Sequence, residues 1–297
     1  MQSTIEVQGL TKRFGRVVAV DDLSFTVRPG EVTGFIGPNG AGKSTTIRLT
    51  MGLDFPQAGT ATVAGRRYRD LAEPLTTIGT LLDAGAVHPG RTARNHLRWL
   101  AHSNGIASGR VDAVLAQVGL ERVARRRVGG FSLGMRQRLG IAAALLGDPP
   151  ILMLDEPVNG LDPEGIVWIR GLLRDLFAQG RAVLVSSHLM TELQDTADHL
   201  LIVGRGRLIA DTSTAELLAR ASGDRMDVRT AMTTEAMTVL TGAGATVATT
   251  EAQVVTVTGA GVRYSELRRH RASLEEAYME LTREVTEFAA PTPTEES

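Results

Sequence analysis

The 297-residue chain contains no cysteine, which excludes disulfide bonds, thiol catalysis and thiolate metal sites and favours an intracellular protein. It lacks an excess of either charge, since 32 Lys and Arg stand against 33 Asp and Glu, and we therefore expect no nucleic-acid partner. The longest apolar run, from Ile141 to Leu154, is broken by "GDPP" well short of the ~18 residues that a membrane span requires. The first residues, "MQSTIEVQGLTKRFG", lack the apolar core of a signal peptide, so we expect the chain not to cross a membrane by itself.

Apolar residues make up 43% of the chain, which is enough for a globular core, and their distribution predicts an α/β fold. Short β-type segments, "IEVQ", "LSFTV" and "EVTGFI", come first, and apolar strands such as "PILMLDEP" and "RAVLVSSH" later alternate with helical patterns. Continuous apolar strands are typical of a largely parallel sheet that helices cover on both faces. Residues from about 95 to 146 show helical patterns and no convincing strand, which predicts a helical insert.

The sequence also predicts a division of the chain at "GDR", residues 223–225. A first domain over residues 1–222 would precede a small accessory α/β domain over residues 226–287. Ser273 and Glu276 form the pattern of a capping box for the final helix. Residues 288–297 are polar and interrupted by proline, and we expect them to be disordered.

The stretch "GPNGAGKST" satisfies the pattern G-x-x-x-x-G-K-[ST] between a predicted strand and a predicted helix. Its glycines allow backbone N–H groups to wrap the β- and γ-phosphates of a nucleotide, where a Cβ atom would intrude. Its lysine adds a positive charge and its serine a hydroxyl for Mg²⁺. The alternative is a glycine-rich turn that binds nothing. The predicted phosphate cradle consists of Gly37, Pro38, Asn39, Gly40, Ala41, Gly42, Lys43, Ser44 and Thr45.

Two adjacent carboxylates follow the apolar strand in "ILMLDEP", at the end of the strand where open α/β sheets bind ligands. Asp155 is predicted to hold the water shell of Mg²⁺, and Glu156 to polarise the water that attacks the γ-phosphate. The alternative is an acidic turn that caps a helix. A second anion site is indicated by "FSLGMRQR", because Ser132 stands at a cap position just before a helical run.

The segments "GPNGAGKST", "FSLGMRQR", "ILMLDEP", "NGLD" and "SSH", in this order and spacing, resemble the nucleotide-binding subunit of an ABC transporter over about residues 3 to 220. The resemblance implies an ABC-type P-loop NTPase core, an antiparallel β part at the start and a helical signature subdomain. It also implies that two copies pair head to tail around ATP. Ser132 would donate its hydroxyl, and Gly134 its backbone N–H, to the γ-phosphate held in the cradle of the other copy.

Three further residues gain roles from the resemblance. His188 after the strand "AVLVSS" would bind the γ-phosphate, although a lone histidine at a strand end is often structural. Asp162 would reach across the dimer interface, cap the helix that begins at Pro163, or do both. Phe14 would stack on adenine, unless its ring belongs to the core. With Lys43 and Glu156, His188 completes the predicted catalytic set.

The sequence departs from the family pattern at three places: in the signature, at Asp83 and in the appendage after Gly223. Phe131, Leu133 and Met135 occupy the first, third and fifth positions of the usual L-S-G-G-Q signature, and Leu133 is bulky enough to alter how closely two copies approach. Asp83 stands where the family usually has a glutamine. As a carboxylate it would either bind Mg²⁺ directly or only add negative charge to a site already rich in it.

The acidic variant at position 83 and the closing "RASLEEAYMELT" are similar to ATPase subunits of bacterial drug and peptide-antibiotic exporters. That closing helix is either a solvated structural face or a regulatory, dimer-stabilising element. The resemblance implies an ATP- and Mg²⁺-dependent homodimer that powers export through a separate integral membrane permease, from the cytoplasmic face of the membrane. The alternatives are an ABC ATPase that moves no solute and a binding module without turnover.

Overall fold

The computed structural model describes residues 4–193, 195–222, 225–229, 233–242, 245–251, 254–258, 268–269 and 272–287. The chain forms two compact units that meet in sequence between Ser213 and Thr214. The strands of the first unit are β1 Ile5–Phe14, β2 Val17–Val27, β3 Glu31–Ile36, β4 Ala58–Val63, β5 Ile78–Leu81, β6 Ile151–Leu154, β7 Ala182–Ser187, β8 His199–Gly204 and β9 Arg207–Ser213. Its helices are α1 Lys43–Thr50, α2 Pro74–Thr77, α3 Ala93–Ser103, α4 Gly109–Gln117, α5 Leu133–Leu145, α6 Pro163–Ala178 and α7 Met190–Leu193.

An antiparallel sheet in the order β2-β1-β4 contains the first two predicted strands. Ile5 pairs with Val27 in β2 and with Val63 in β4, and all three side chains are buried. Buried positions in the first half of β1 alternate with more exposed ones, as a strand with one covered face requires. The antiparallel β part at the start of the chain is therefore present.

The second sheet has the order β5-β6-β7-β3-β8-β9, and it is parallel except at β9, which pairs antiparallel with β8. Every residue of β6 and β7 is buried. This explains why β6 and the first four residues of β7 are all apolar, since helices cover each face of a parallel sheet. The α/β fold class is confirmed.

Helices α3, α4 and α5 occupy the region of the predicted insert. From residue 82 to residue 150, all of which the structure describes, the chain forms no strand and only one isolated β-bridge, between Thr92 and Arg127. Thr92 caps α3 through a hydrogen bond from the Asn95 N–H. In the described part of the chain, no helix combines the length and the apolar content that a membrane span requires.

The second unit begins with helix α8 and contains a four-stranded antiparallel sheet in the order β11-β12-β10-β13. Its elements are α8 Thr214–Ser222, β10 Arg225–Arg229, α9 Thr233–Gly242, β11 Thr246–Glu251, β12 Val254–Thr258, β13 Arg268–Arg269 and α10 Leu274–Glu287. The capping box of α10 is confirmed, because Ser273 N–H donates to Glu276 Oε2 at 2.7 Å and Glu276 N–H donates to Ser273 Oγ at 3.1 Å.

The division of the chain differs from the predicted one at residues 223–225. Helix α8 packs against α10 and therefore belongs to the second unit, although the sequence prediction placed it in the first. The physical reason is a contact between helices far apart in sequence, which local composition does not reveal. Gly223, Asp224 and the tail over residues 288–297 lie outside the described residues.

Candidate active site

The carboxyl ends of three neighbouring parallel strands bring the predicted catalytic residues together. Strand β3 leads into the cradle, β6 ends just before Asp155, and β7 ends just before His188. Strand β7 lies between the other two, with Leu154 paired to Val185 and Ile36 paired to Ser187. Segments that extend from Gly37 to His188 in the sequence thus meet at one edge of the sheet, as expected for an open α/β fold.

The cradle between β3 and α1 has no room for a Cβ atom at two of its glycines. Gly42, at the N-cap of α1, has φ of 99°, and a Cβ atom there would lie 2.3 Å from the Ala19 carbonyl oxygen. A Cβ atom at Gly37 would lie 2.3 Å from the Val203 carbonyl oxygen. Pro38, Asn39 and Gly40 are exposed at its tip. The N-terminal end of α1 therefore presents a loop with free backbone donors, which suits an anion.

Lys43 directs its ammonium group back into the cradle. Only 5% of the side chain is exposed, and Nζ lies 2.6 Å from the Gly37 carbonyl oxygen and 3.4 Å from that of Pro38. The same Nζ is 3.4 Å from Glu156 Oε1. A buried ammonium group needs such partners, because an unpaired charge in the interior is costly. The cradle therefore holds a fixed positive charge close to the acidic strand end.

Glu156 is the centre of this cluster. Its Oε1 faces Lys43, and its Oε2 lies 2.7 Å from His188 Nδ1. The backbone has φ of 47°, a left-handed conformation that costs a non-glycine residue about 1–3 kcal/mol and occurs preferentially at functional sites. Asp155 stands next to it with its Oδ1 2.5 Å from Ser186 Oγ. Neither carboxylate caps a helix, since the following helix α6 is capped by Asp162, so the alternative interpretation as a capping turn is wrong.

The residues predicted to hold Mg²⁺ offer oxygen donors only, which is the chemistry that this cation prefers. Ser44 is exposed in the first turn of α1, and Asp155 lies at the carboxyl end of β6. Among the described residues no group of three or more His, Asp or Glu side chains is arranged to hold a metal ion. One hydroxyl and one carboxylate fit a Mg²⁺ that arrives with nucleotide, since this cation keeps several waters and takes other ligands from substrate phosphates.

Asp83 lies at the same edge of the sheet, two residues beyond the end of β5, which pairs with β6 through Leu81 and Leu154. Its carboxylate is exposed and accepts a hydrogen bond of 2.6 Å from the Gly85 N–H. This hydrogen bond within a local turn is the contact that the structure shows for the Asp83 side chain. The role of Asp83 at Mg²⁺ stays a prediction.

The signature segment forms the start of α5. Ser132 is its N-cap, and its Oγ accepts a hydrogen bond of 3.2 Å from the Met135 N–H. Leu133 is 57% exposed and packs on Gly160. A Cβ atom at Gly160, where φ is 75°, would lie 2.2 Å from Leu133 Cδ2. A Cβ atom at Gly134 would lie 3.2 Å from the Gly160 carbonyl oxygen, so the signature and the "NGLD" segment of one chain are in direct contact.

Two other predicted residues lie on the surface of the first unit. Asp162 caps α6, with Oδ1 accepting a hydrogen bond of 2.8 Å from the Gly165 N–H, so its structural role is confirmed. Phe14 ends β1 and is 50% exposed, with Lys12 Nζ 5.0 Å from the ring centroid. Because half of the ring is exposed, the interpretation of Phe14 as a core residue is wrong. Stacking on adenine and contact across a dimer remain predictions.

Sequence reasoning missed two residues that hold the backbone of Glu156. Ser186 Oγ accepts a hydrogen bond of 2.8 Å from the Glu156 N–H, and Gln137 Nε2 donates one of 2.9 Å to the Glu156 carbonyl oxygen. A signal was present for Ser186, which is a hydroxyl at the end of an apolar strand, whereas Gln137 stands between two arginines at a helix start and gave none. Buried polar side chains usually have a specific partner.

Comparison with known proteins gives consistent results. The chain matches the family model described as ABC transporter over residues 20–159. It is 40% identical over 214 residues to "Bacitracin transport ATP-binding protein BcrA" of Bacillus licheniformis, which covers 71% of this chain and 70% of that protein. It is 37% identical over 226 residues to "Nod factor export ATP-binding protein I" of Burkholderia lata, which covers 74% of each. A solved structure described as "Structure of ATP binding subunit of ABC transporter" matches with a TM-score of 0.70 at 26% identity, covering 94% of this chain and 99% of that one.

Proposed function

The chain belongs to the family of ABC transporter ATP-binding proteins, whose domains bind and hydrolyse ATP, and from this premise we propose that two copies hydrolyse MgATP between them to drive export through a separate membrane protein. The observation that carries the proposal is the contact of Lys43, Glu156 and His188 at the mouth of the cradle. A base that contacts a cation through one carboxylate oxygen and a histidine through the other matches the needs of phosphoryl transfer to water.

The roles of the residues follow from their positions. The backbone N–H groups of residues 39, 40 and 42–44 and the Lys43 ammonium hold the β- and γ-phosphates, since Pro38 has no N–H and that of Ala41 donates to the Pro38 carbonyl oxygen. Glu156 polarises the attacking water and takes up its proton. His188 Nδ1 is hydrogen-bonded to Glu156 Oε2, so Nε2 is the ring nitrogen that would bond to the γ-phosphate. Ser44 and Asp155 would hold a Mg²⁺ ion that binds together with the nucleotide, and this cation would neutralise phosphate charge.

A second copy supplies the remaining groups. Ser132 Oγ accepts a hydrogen bond from the Met135 N–H, so its O–H can still donate. The Gly134 N–H is one of the first four backbone N–H groups of α5, which have no acceptor inside the helix. Both stand at an exposed helix start, where the dipole favours an anion. These donors complete the pocket around the nucleotide of the other copy. Since each copy gives and receives the same groups, the homodimer is isologous.

The transport role is supported by two relatives, whose names state bacitracin transport and Nod factor export. We propose that closure and opening of the ATP-bound dimer reset an integral membrane permease that exports a drug-like or peptide-antibiotic-like solute. The chain would then act at the cytoplasmic face of the membrane. Affinity purification of the tagged chain from solubilised membranes tests this step: a stoichiometric integral membrane protein is expected, and a pool without such a companion contradicts the transport role.

The catalytic step is tested by Glu156→Gln. Replacing the base should lower the rate of ATP hydrolysis by roughly 10²- to 10⁴-fold while ATP still binds. Gel filtration with ATP and Mg²⁺ should then show a dimer that does not dissociate. The matched control is Glu121→Gln, the same change at an exposed residue of the helical region, which should hydrolyse ATP like the wild type. A Glu156→Gln chain that retains the wild-type rate, or that stays monomeric at saturating ATP, contradicts the proposal.

A further inference from the structure

Helix α5 contains a buried amide that the signature motif does not explain. The Gln137 side chain is 5% exposed and lies in the same helix as the fully buried Leu139 and Ile141. Burying an amide is unfavourable unless hydrogen bonds replace those lost to water. Gln137 Nε2 donates to the carbonyl oxygen of Glu156, 19 positions later in the sequence, at 2.9 Å. A buried polar group of α5 is therefore bonded directly to the residue proposed as the base.

The backbone of Glu156 needs such support, because its φ of 47° is unfavourable for a side chain with a Cβ atom. Both of its backbone groups are bonded to side chains from other elements. Ser186 of β7 accepts from the N–H at 2.8 Å, and Gln137 of α5 donates to the carbonyl oxygen, which also accepts from the Asn159 N–H at 3.2 Å. The direction in which the carboxylate leaves the strand end is thus set by contacts outside the strand.

Helix α5 touches the turn after Glu156 at a second point. Leu133, four residues before Gln137 and therefore on the same face of the helix, packs on Gly160. The two contacts hold the start and the end of the 156–160 turn against one helix. The same helix begins with Ser132, whose hydroxyl is proposed to reach the nucleotide of the other copy.

We propose that Gln137 is a positioning residue for the reaction, which fixes the Glu156 backbone so that the carboxylate faces Lys43 and His188. Through this bond, α5 connects the signature start to the base of the same chain. The inference rests on the proposed function, since it assigns a task in ATP hydrolysis.

The test is Gln137→Met, which keeps a similar volume and removes the donor. With the full chain, the expected result is a fall in kcat on the order of 10²-fold, the cost of a small misplacement of a catalytic group. KM and the affinity for a fluorescent ATP analogue with Mg²⁺ should stay within about twofold, because the cradle is untouched. Gln137→Glu, nearly the same shape without the amide donor, should lower kcat likewise. Gln117→Met, at an exposed position of α4, is the matched control.

A double-mutant cycle separates positioning from a general loss of structure. In a Glu156→Gln background, Gln137→Met should change the residual rate by less than about threefold, because there is no base left to position. If both Gln137 variants keep the wild-type kcat, or if the loss is equally large in the Glu156→Gln background, the inference is overturned. If the wild type and Glu156→Gln hydrolyse ATP equally, the proposed function itself fails, and the two failures are distinguishable.

Discussion

Ser186→Ala is the substitution whose effect on stability follows most directly from the geometry. Ser186 is fully buried in β7, where its Oγ donates to Asp155 Oδ1 at 2.5 Å and accepts from the Glu156 N–H at 2.8 Å. Alanine removes both bonds at once. A neutral hydrogen bond contributes about 0.5–1.5 kcal/mol and one to a charged group about 1.5–3 kcal/mol. Because Asp155 is only half-buried and water can replace part of the lost bond, we expect the free energy of unfolding to fall by about 2–3 kcal/mol.

Urea unfolding followed by tryptophan fluorescence measures this change in the first unit, since both tryptophans, Trp99 and Trp168, belong to it. The transition midpoint should decrease while the slope stays the same. Ser103→Ala is the control, because Ser103 is exposed on α3 and its Oγ only donates to the Trp99 carbonyl oxygen. Its effect should stay within about 0.5 kcal/mol. Equal midpoints for the two variants would refute the reasoning from the Ser186 contacts.

Three further outcomes are expected. Phe14→Ala should weaken the binding of ATP, measured by fluorescence titration, by roughly 10-fold, the typical loss of one base-stacking contact. Stability should be unchanged because the ring is half-exposed, and an unaltered affinity for ATP would show that Phe14 does not belong to the site. Gly160→Ala should lower the free energy of unfolding by about 1–3 kcal/mol. Adding Leu133→Ala should restore part of this loss, because the clash with Leu133 Cδ2 disappears, whereas free-energy changes that simply add in the double variant would contradict the contact. The hydrogen bond from Arg181 lowers the pKa of Asp148, so this pair stabilises the fold above about pH 4, and the contribution is lost as pH falls through the lowered pKa. Asp148→Asn should therefore make the urea midpoint less sensitive to acid. An unchanged pH dependence of the midpoint would contradict this.

The convergence of the cradle, the acidic pair and His188 was predictable from the sequence for a simple reason. All three follow apolar strands, and parallel strands end at one edge of a sheet. The residue types then indicated the chemistry, because glycines, a lysine and two carboxylates at such an edge have few other uses. The fold class followed in the same way from the apolar runs of β6 and β7.

The remaining contacts depend on tertiary structure that local patterns do not encode. Gln137 belongs to a helix start, and its bond to Glu156 exists only because α5 packs on β5 and so lies beside the turn that follows β6. Leu133 was identified as a departure from the signature, yet its contact with Gly160 was not foreseen. The boundary between the units was displaced for the same reason, since α8 packs on a helix near the end of the chain.

The central claim, that each ATP pocket needs two copies of the chain, is tested most directly by mixing two inactive variants. Lys43→Ala disables the cradle and leaves the signature intact, whereas a chain with Ser132→Ala and Gly134→Asp has a disabled signature and an intact cradle. If pockets are shared between copies, an equimolar mixture contains mixed dimers with one intact pocket each, and its ATPase rate should reach about one quarter of the wild-type rate. A mixture no more active than the two variants measured separately would contradict the account.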